Sequence, residues 1–358
     1  MKKKLVGMIA TAALLTMALA GNVQAAEIRS VGPDGEAAVD ASTIELTDDQ
    51  IAQIKEGGYT AAICLHYGGN DWSTSQQKGL EDTFGELGIE IVAVTDANFS
   101  AETQVSNIET VMAKKPDILV SIPTDATATA DAYKQAAAAG IKIVFMDQRA
   151  NGLEAGKDYV SVVSADNYGN GYASGTVLGD ALGGKGKVAM VYYDANFAPT
   201  NQRDEGFRDA MKNYPDIEIV TEQGFTDESG CAEQGDAILT QFPNIDGIYA
   251  SWDVPMEGVL SAVRAAGMEG KVTLACNDLG NSVAREIASG NIAGGGAQMP
   301  YDQGVAEAKL AALALLGEET PSYVAVPAET VTHENVLEAY TDVYHVETPD
   351  WLKEAYVE

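Results

Sequence analysis

PDILVSIPTDATATADAYKQAAAAGIKIVFMDQ, running from Pro116 to Gln148, decides the fold. Asp117 to Ile122 is a short apolar run, too brief for a helix and bounded by proline on both sides. Ala128 to Ala139 is rich in alanine, the best helix former, and ends at Gly140. Ile141 to Met146 is a second apolar run, broken only by Lys142. Strands that are apolar at every position, and not at alternate ones, are buried on both faces. Two of them joined by a helix form a crossover unit, which places the strands parallel.

The same alternation extends outward in both directions. Before Pro116 stand a strand at 61–65, a helix carrying Leu80, Phe84 and Leu87, a strand at 89–95 and a helix carrying Val105, Ile108, Val111 and Met112. After Gln148 the pattern restarts, with strands expected at 187–193, 217–222, 246–250, 272–276, 292–297 and 323–326. Helices are expected at 202–213, 255–266 and 304–316 among them. Two βα series of similar size in 358 residues predict two α/β domains. An eightfold βα barrel is the competing architecture, since the number of units also allows it.

The N-terminus has its own logic. Lys2, Lys3 and Lys4 precede an apolar stretch from Leu5 to Ala20, followed by Val23-Gln24-Ala25. That order reads as a secretory signal cut after Ala25; a membrane anchor would need a longer run. No cysteine stands near Asn22 to accept a lipid, so the mature chain is expected free in the periplasm or secreted. Residues 26–58 are polar and acidic, with one helical candidate at Thr47–Lys55, and read as a leader packed on the surface. The whole chain carries 22 basic and 53 acidic side chains; removing three lysines with the signal leaves 19 − 53 = −34. Such a surface repels nucleic acid and anionic lipid. Cys64, Cys231 and Cys276 are far apart and form no metal-binding spacing, although a disulfide remains open in an oxidising compartment.

Motifs for chemistry are missing. There is no phosphate-binding GxxxxGK[ST], no GxGxxG after a strand, no GxSxG and no HExxH. No cofactor or metal is expected, and no catalysis, although the abundant carboxylates leave a glycoside-hydrolase pair open. What stands out is the polar content of the strand ends, where ligands of parallel sheets bind. These ends carry His66-Tyr67, Asp71-Trp72, Asp96, Thr124-Asp125, Asp147-Gln148-Arg149, Asp194, Trp252-Asp253, Asn277-Asp278 and Gln298. Carboxylates accept hydroxyl hydrogen bonds and tryptophan offers a flat apolar face, a combination suited to a neutral, hydroxyl-rich ligand. Any single aspartate there can equally be the cap of the following helix.

Five stretches carry a resemblance: Gly68-Gly69-Asn70-Asp71-Trp72 with Lys78-Gly79, Pro123-Thr124-Asp125, Val144-Phe145-Met146-Asp147, Ser164-Ala165-Asp166-Asn167 with Gly171, and Asn201 to Phe207. In order and spacing, nearly all of residues 59–330 resembles the type I periplasmic sugar-binding proteins of ABC importers. The resemblance implies two doubly wound, Rossmann-like parallel-sheet domains joined by a three-segment hinge. It divides the chain into an N-terminal lobe, 59–163 plus 300–325, and a C-terminal lobe, 164–299 plus 326–358, with crossings near Ser164, Met299 and Val326. It assigns ligand contacts to Asp147 and Asp278 from opposite lobes, to Gln298 at a crossing and to Trp72 as an aromatic wall. It also points to Asp71, Gln148, Asn201, Arg203 and Trp252, where this chain departs from the family pattern. Those departures make ribose itself an unexpected ligand. The implied function is capture of a small sugar or polyol in the interdomain cleft by a monomer that delivers it to a membrane permease. A periplasmic sensor for a sugar-like signal and an exported carbohydrate-active enzyme are the alternatives.

Overall fold

The computed structural model of the protein describes residues 27–357; the secretory signal expected at 1–25 lies outside them. The first lobe is built from β1 (Val39–Asp40), α1 (Asp48–Gly57), β2 (Thr60–Leu65), α2 (Asp71–Leu87), β3 (Glu90–Asp96), α3 (Ala101–Ala113), β4 (Ile118–Ser121), α4 (Ala130–Ala138), β5 (Lys142–Met146) and β6 (Ser161–Ala165). The chain then enters the second lobe with α5 (Asn167–Ala181), β7 (Lys185–Tyr193), α6 (Ala198–Met211), β8 (Asp216–Phe225), α7 (Cys231–Gln241), β9 (Gly247–Ala250), α8 (Asp253–Ala265), β10 (Thr273–Cys276), α9 (Asn281–Ala288) and β11 (Gly294–Ala297). It returns to the first lobe for α10 (Pro300–Leu315) and β12 (Tyr323–Val326), and ends in the second with β13 (Glu329–Thr332), α11 (Val336–Tyr344) and α12 (Asp350–Ala355).

Two sheets result, in the orders β1-β12-β6-β5-β4-β2-β3 and β13-β11-β10-β9-β7-β8. Every pairing is parallel except that of β13 with β11. Both sheets are covered on both faces, and the strand period sorts the side chains. Ile118 and Val120 of β4 face Leu80, Phe84 and Leu310; Leu119 between them faces Tyr133, Phe145 and Val162. In the second lobe Ala189 and Val191 face α7 and α8, while Val188 and Met190 pack against Leu178 and Phe207. The two-sheet arrangement rules out the barrel.

Two details differ from expectation. β6 belongs to the first sheet through Ala165 and β12 through Val326, so sheet membership changes a residue or two later than the expected 163 and 325. The leader is woven in, not laid on the surface. β1 covers the edge of β12, which removes an exposed row of backbone donors and acceptors. Ser30 is buried, and both its backbone N–H and its Oγ donate to Asp166 Oδ1 at 2.8 Å, beside the first crossing between lobes. All three cysteines are buried and free, so no disulfide joins them.

Each lobe also has one very tight helix crossing. α2 meets α10 where a Cβ on Gly79 would lie 2.2 Å from the Tyr301 carbonyl oxygen and one on Gly304 2.3 Å from that of Gln76. α5 meets α6 where a Cβ on Gly171 would lie 1.8 Å from the Arg203 carbonyl oxygen. Backbone cannot yield as a side chain tip can, so Gly171→Ala is expected to lower unfolding free energy by about 1–3 kcal/mol, the usual cost of overpacking. Gly85→Ala, in open space on α2, is expected to raise it by about 0.5–1 kcal/mol through helix propensity. Urea denaturation of the two variants measures both; equal effects would show that the crossing has slack.

Candidate functional site

The site begins with two strained aspartates. Asp147 follows the last residue of β5 and Asp278 lies just beyond β10, at equivalent places in the two lobes. Their φ angles are 54° and 70°, in the left-handed region that side chains seldom enter and aspartate tolerates better than most. Each is pinned there by the next strand: Asp147 N–H donates to the Val163 carbonyl at 2.7 Å, and Asp278 N–H to that of Gly296 at 2.8 Å. The turn aims each carboxylate away from its sheet into the space between the lobes.

Arg203 joins them. It is buried on α6, with Nε donating to Asn167 Oδ1 at 2.8 Å and Nη1 to Asp278 Oδ2 at 3.2 Å and the Ser251 carbonyl at 3.3 Å. Asn167 Nδ2 donates to Ser164 Oγ at 2.9 Å, and Ser164 Oγ donates to Asp147 Oδ1 at 2.8 Å. A hydrogen-bonded chain thus runs Asp147–Ser164–Asn167–Arg203–Asp278 from lobe to lobe across the first crossing. Gln298 extends it, donating from Nε2 to Asp278 Oδ1 at 2.8 Å. Behind Asp147, Gln303 Nε2 donates to Oδ1 at 3.3 Å from α10.

Aromatic rings wall the cavity. His66, Tyr67, Trp72 and Phe99 come from the first lobe, and Tyr193, Phe197 and Trp252 from the second. His66 stacks on Phe197 across the lobes at 5.9 Å between centroids, and Tyr67 on Phe99 at 4.2 Å. Trp252 is oriented by its Nε1, which donates to Glu228 Oε1 at 3.0 Å, and by Tyr193 and Phe225 against its ring. The space among these residues, counting the part that opens to solvent, is about 470 Å³. Burial lowers the His66 imidazole to about 3, so it is neutral at pH 7. Its Nδ1, Trp72 Nε1 and Gln298 Oε1 are buried without a hydrogen-bond partner, a set of donor and acceptor atoms that a bound molecule can satisfy.

Six of the nine residues expected at the site line this cavity: Trp72, Asp147, Arg203, Trp252, Asp278 and Gln298. Three do not. Asp71 is the first residue of α2, and one residue along a helix turns the side chain by about 100°, so it points past the cavity to the second lobe, where it accepts from Asn281. Asn201 is exposed on α6, about 200° around the helix from Arg203. Gln148 turns away after the left-handed Asp147; its Nε2 donates to the Pro123 carbonyl at 2.9 Å, and it faces a separate groove beside the hinge. Phe99, Tyr193, Phe197, Pro199 and Thr200 line the cavity without having been singled out. Phe197 and Tyr193 had a usable signal, being aromatic residues between the end of β7 and the start of α6.

A family model described as periplasmic binding protein domain matches residues 61–319. A D-ribose/D-allose-binding protein of Pseudomonas aeruginosa is 29% identical over 273 residues, covering 73% of this chain and 83% of the relative. Among solved structures, an ABC transporter periplasmic solute binding protein from Actinobacillus succinogenes with bound D-allose superposes with a TM-score of 0.72 at 29% identity, over 78% of this chain and 99% of its own. An ABC transporter solute binding protein from Agrobacterium vitis bound with α-D-tagatopyranose gives 0.74 at 26% identity, over 82% and 100%. The two lobes have the type I periplasmic binding protein fold.

Buried acids make the ligand-free protein sensitive to pH. Burial raises Asp147 to about 6 against the opposing Ser164 hydrogen bond and Arg203 charge, and raises Asp204, which accepts from Ser251 and Tyr249, to about 6. A raised carboxyl binds its proton more tightly folded than unfolded, so the native state holds more protons between about pH 4 and 6 and stability falls as pH rises through that window. The raised Asp253 extends the fall to higher pH. The opposite effect comes from the lowered carboxyls of Asp209 and Glu222 at lower pH, and from His66, whose lowered imidazole favours the folded state as pH rises from about 3 to 6.5 and offsets part of the fall. Urea unfolding without ligand should give a higher midpoint at pH 5 than at pH 7.5, and Asp204→Asn should flatten the difference. A profile that rises with pH in wild type contradicts these assignments.

Proposed function

Because the chain belongs to the periplasmic binding protein domain family, we propose that it captures a small neutral sugar or polyol between its lobes and delivers it to an ABC permease. The observation that carries this reading is the pair of carboxylates, Asp147 and Asp278, presented by opposite lobes to one aromatic-walled cavity. Carboxylates that accept from ligand hydroxyls on both sides make the closed form the tighter binder, so the sugar itself draws the lobes together. The rings supply flat faces for its C–H surfaces. His66, Trp72 and Gln298 complete the polar contacts.

The charge pattern favours a neutral molecule. Arg203 already uses Nε on Asn167 and Nη1 on Ser251 and Asp278, so only Nη2 is left for a ligand and the two-nitrogen grip suited to a carboxylate or phosphate is taken. The D-allose and D-tagatose bound by the two similar structures support a six-carbon monosaccharide or its polyol as candidate. No step of covalent chemistry is assigned to the cleft. The protein acts outside the cytoplasm, exported by residues 1–25, as a monomer whose lobes move about crossings near Asp166, Met299 and Pro327.

Thermal-shift screening of the purified protein against monosaccharides and polyols, with D-allose and D-tagatose included, should find at least one that raises the melting temperature. Stabilisation by amino acids or nucleosides and by no sugar would sink the assignment. Asp278→Ala and Asp147→Ala each delete a charged acceptor and should weaken the best ligand by about 10- to 150-fold, the equivalent of about 1.5–3 kcal/mol. Retained affinity in both would remove these carboxylates from the site.

A further inference from the structure

Helix α9 lacks an N-cap of its own. Its N-cap residue is Gly280, which has no side chain to accept from the first turn. The missing acceptor comes from the other lobe. Asp71, at the start of α2, accepts from Asn281 N–H at 2.7 Å through Oδ2 and from Asn281 Nδ2 at 2.8 Å through Oδ1. Its negative charge also lies at the positive end of the α9 dipole. A cap supplied in this way exists only while the lobes are together.

The turn that receives Asp71 is built by the C-terminal helix α11, which lies beyond the residues matched by the family model. Tyr340 Oη donates to Asn281 Oδ1 at 2.5 Å, leaving the Asn281 amide nitrogen free to reach Asp71. Tyr344 Oη donates to the Leu279 carbonyl at 2.8 Å. Asp253 Oδ2 accepts from Gly280 N–H at 2.9 Å and holds the turn from inside. At the end of α11, His345 Nε2 lies 3.0 Å from Asp302 Oδ1 on α10 of the first lobe, with its ring against Tyr301 at 4.4 Å between centroids.

We propose that the C-terminal helices build a clasp, in which Asp71 caps α9 across the cleft on a turn set by Tyr340 and Tyr344, and that this clasp sustains a closed population without sugar. Asp71 and Asn281 are then affinity determinants that never touch the ligand. The effect on sugar release rests on the function proposed above; the effect on closure does not.

Spin labels on Asp131→Cys of the first lobe and Asp236→Cys of the second report the distance between lobes, the native cysteines being buried. Without sugar, the clasp predicts a closed fraction in the otherwise wild-type chain. It also predicts a closed-to-open ratio about fivefold lower in Asp71→Ala, as loss of a helix cap implies, and a smaller fall in Asn281→Ala, which loses the side-chain bond but keeps the backbone N–H donor. The double variant should fall no further than Asp71→Ala, because that change already removes both bonds. Tyr340→Phe should move the ratio in the same direction by less. An open wild-type chain, or closed fractions in both alanine variants equal to wild type, overturns the clasp. With D-allose as probe, the alanine variants should release sugar faster and associate no more slowly than wild type. Failure of D-allose and every other sugar to bind wild type counts against the sugar reading alone, because the sugar-free distances still decide the clasp.

Discussion

A guanidinium buried between two lobes has to be paired, and the pairing of Arg203 organises the cleft. An unpaired charge at that depth would cost about 3–5 kcal/mol, so its partners are held in place by geometry that reaches far into both lobes. Asn167 and Asp278 take its nitrogens directly, and Ser164 passes the connection to Asp147. Arg203 can stand there only because α6 lies almost against the backbone of α5, a distance that Gly171 and Gly206 permit. The glycine crossing, the hinge residues and the two site carboxylates are therefore one mechanical unit. Movement of either lobe must stretch or rearrange the Asn167 bonds, since Asn167 follows the first crossing directly.

The two lobes solve the same problem in the same way. Each ends a central strand with an aspartate forced into a left-handed turn and anchored by the carbonyl of the next strand. Strain of this kind persists only where the surrounding structure imposes it, and here both sheets impose it at their mouths. The lobes differ in what surrounds the carboxylate. Asp147 accepts from a hydroxyl and a neutral amide and is raised by burial, whereas Asp278 accepts from Arg203 and from Gln298.

Much of this could be read from the sequence, and the failures have physical causes. Strands with a continuous apolar centre, such as Ile118–Ser121 and Lys142–Met146, were legible within a residue or two. β6 was not, because Ser161 and Ser164 interrupt its apolar run, and Ser164 is there to serve Asp147. α5 was also missed. Its glycines lower helix propensity, yet Gly171, Gly175 and Gly179 are spaced one turn apart to let α6 and Tyr214 approach. At the site, strand-end position found Asp147 and Asp278. It misplaced Asp71 and Asn201 because both lie on helices, where adjacent residues point in different directions. The partner of Asp71 is 210 residues away, beyond any local pattern.

Strand order carries a further consequence for how the chain is made. β12 lies inside the first sheet, between β1 and β6, and α10 packs Leu310 and several alanines into that lobe's core. Both come from the last sixty residues of the sequence. A nascent polypeptide that has reached only Met299 leaves β1 without its neighbour and one face of the sheet uncovered. The lobe synthesised first therefore cannot finish folding first; it waits for a segment made after the whole of α5 to β11. The two lobes therefore become native almost together.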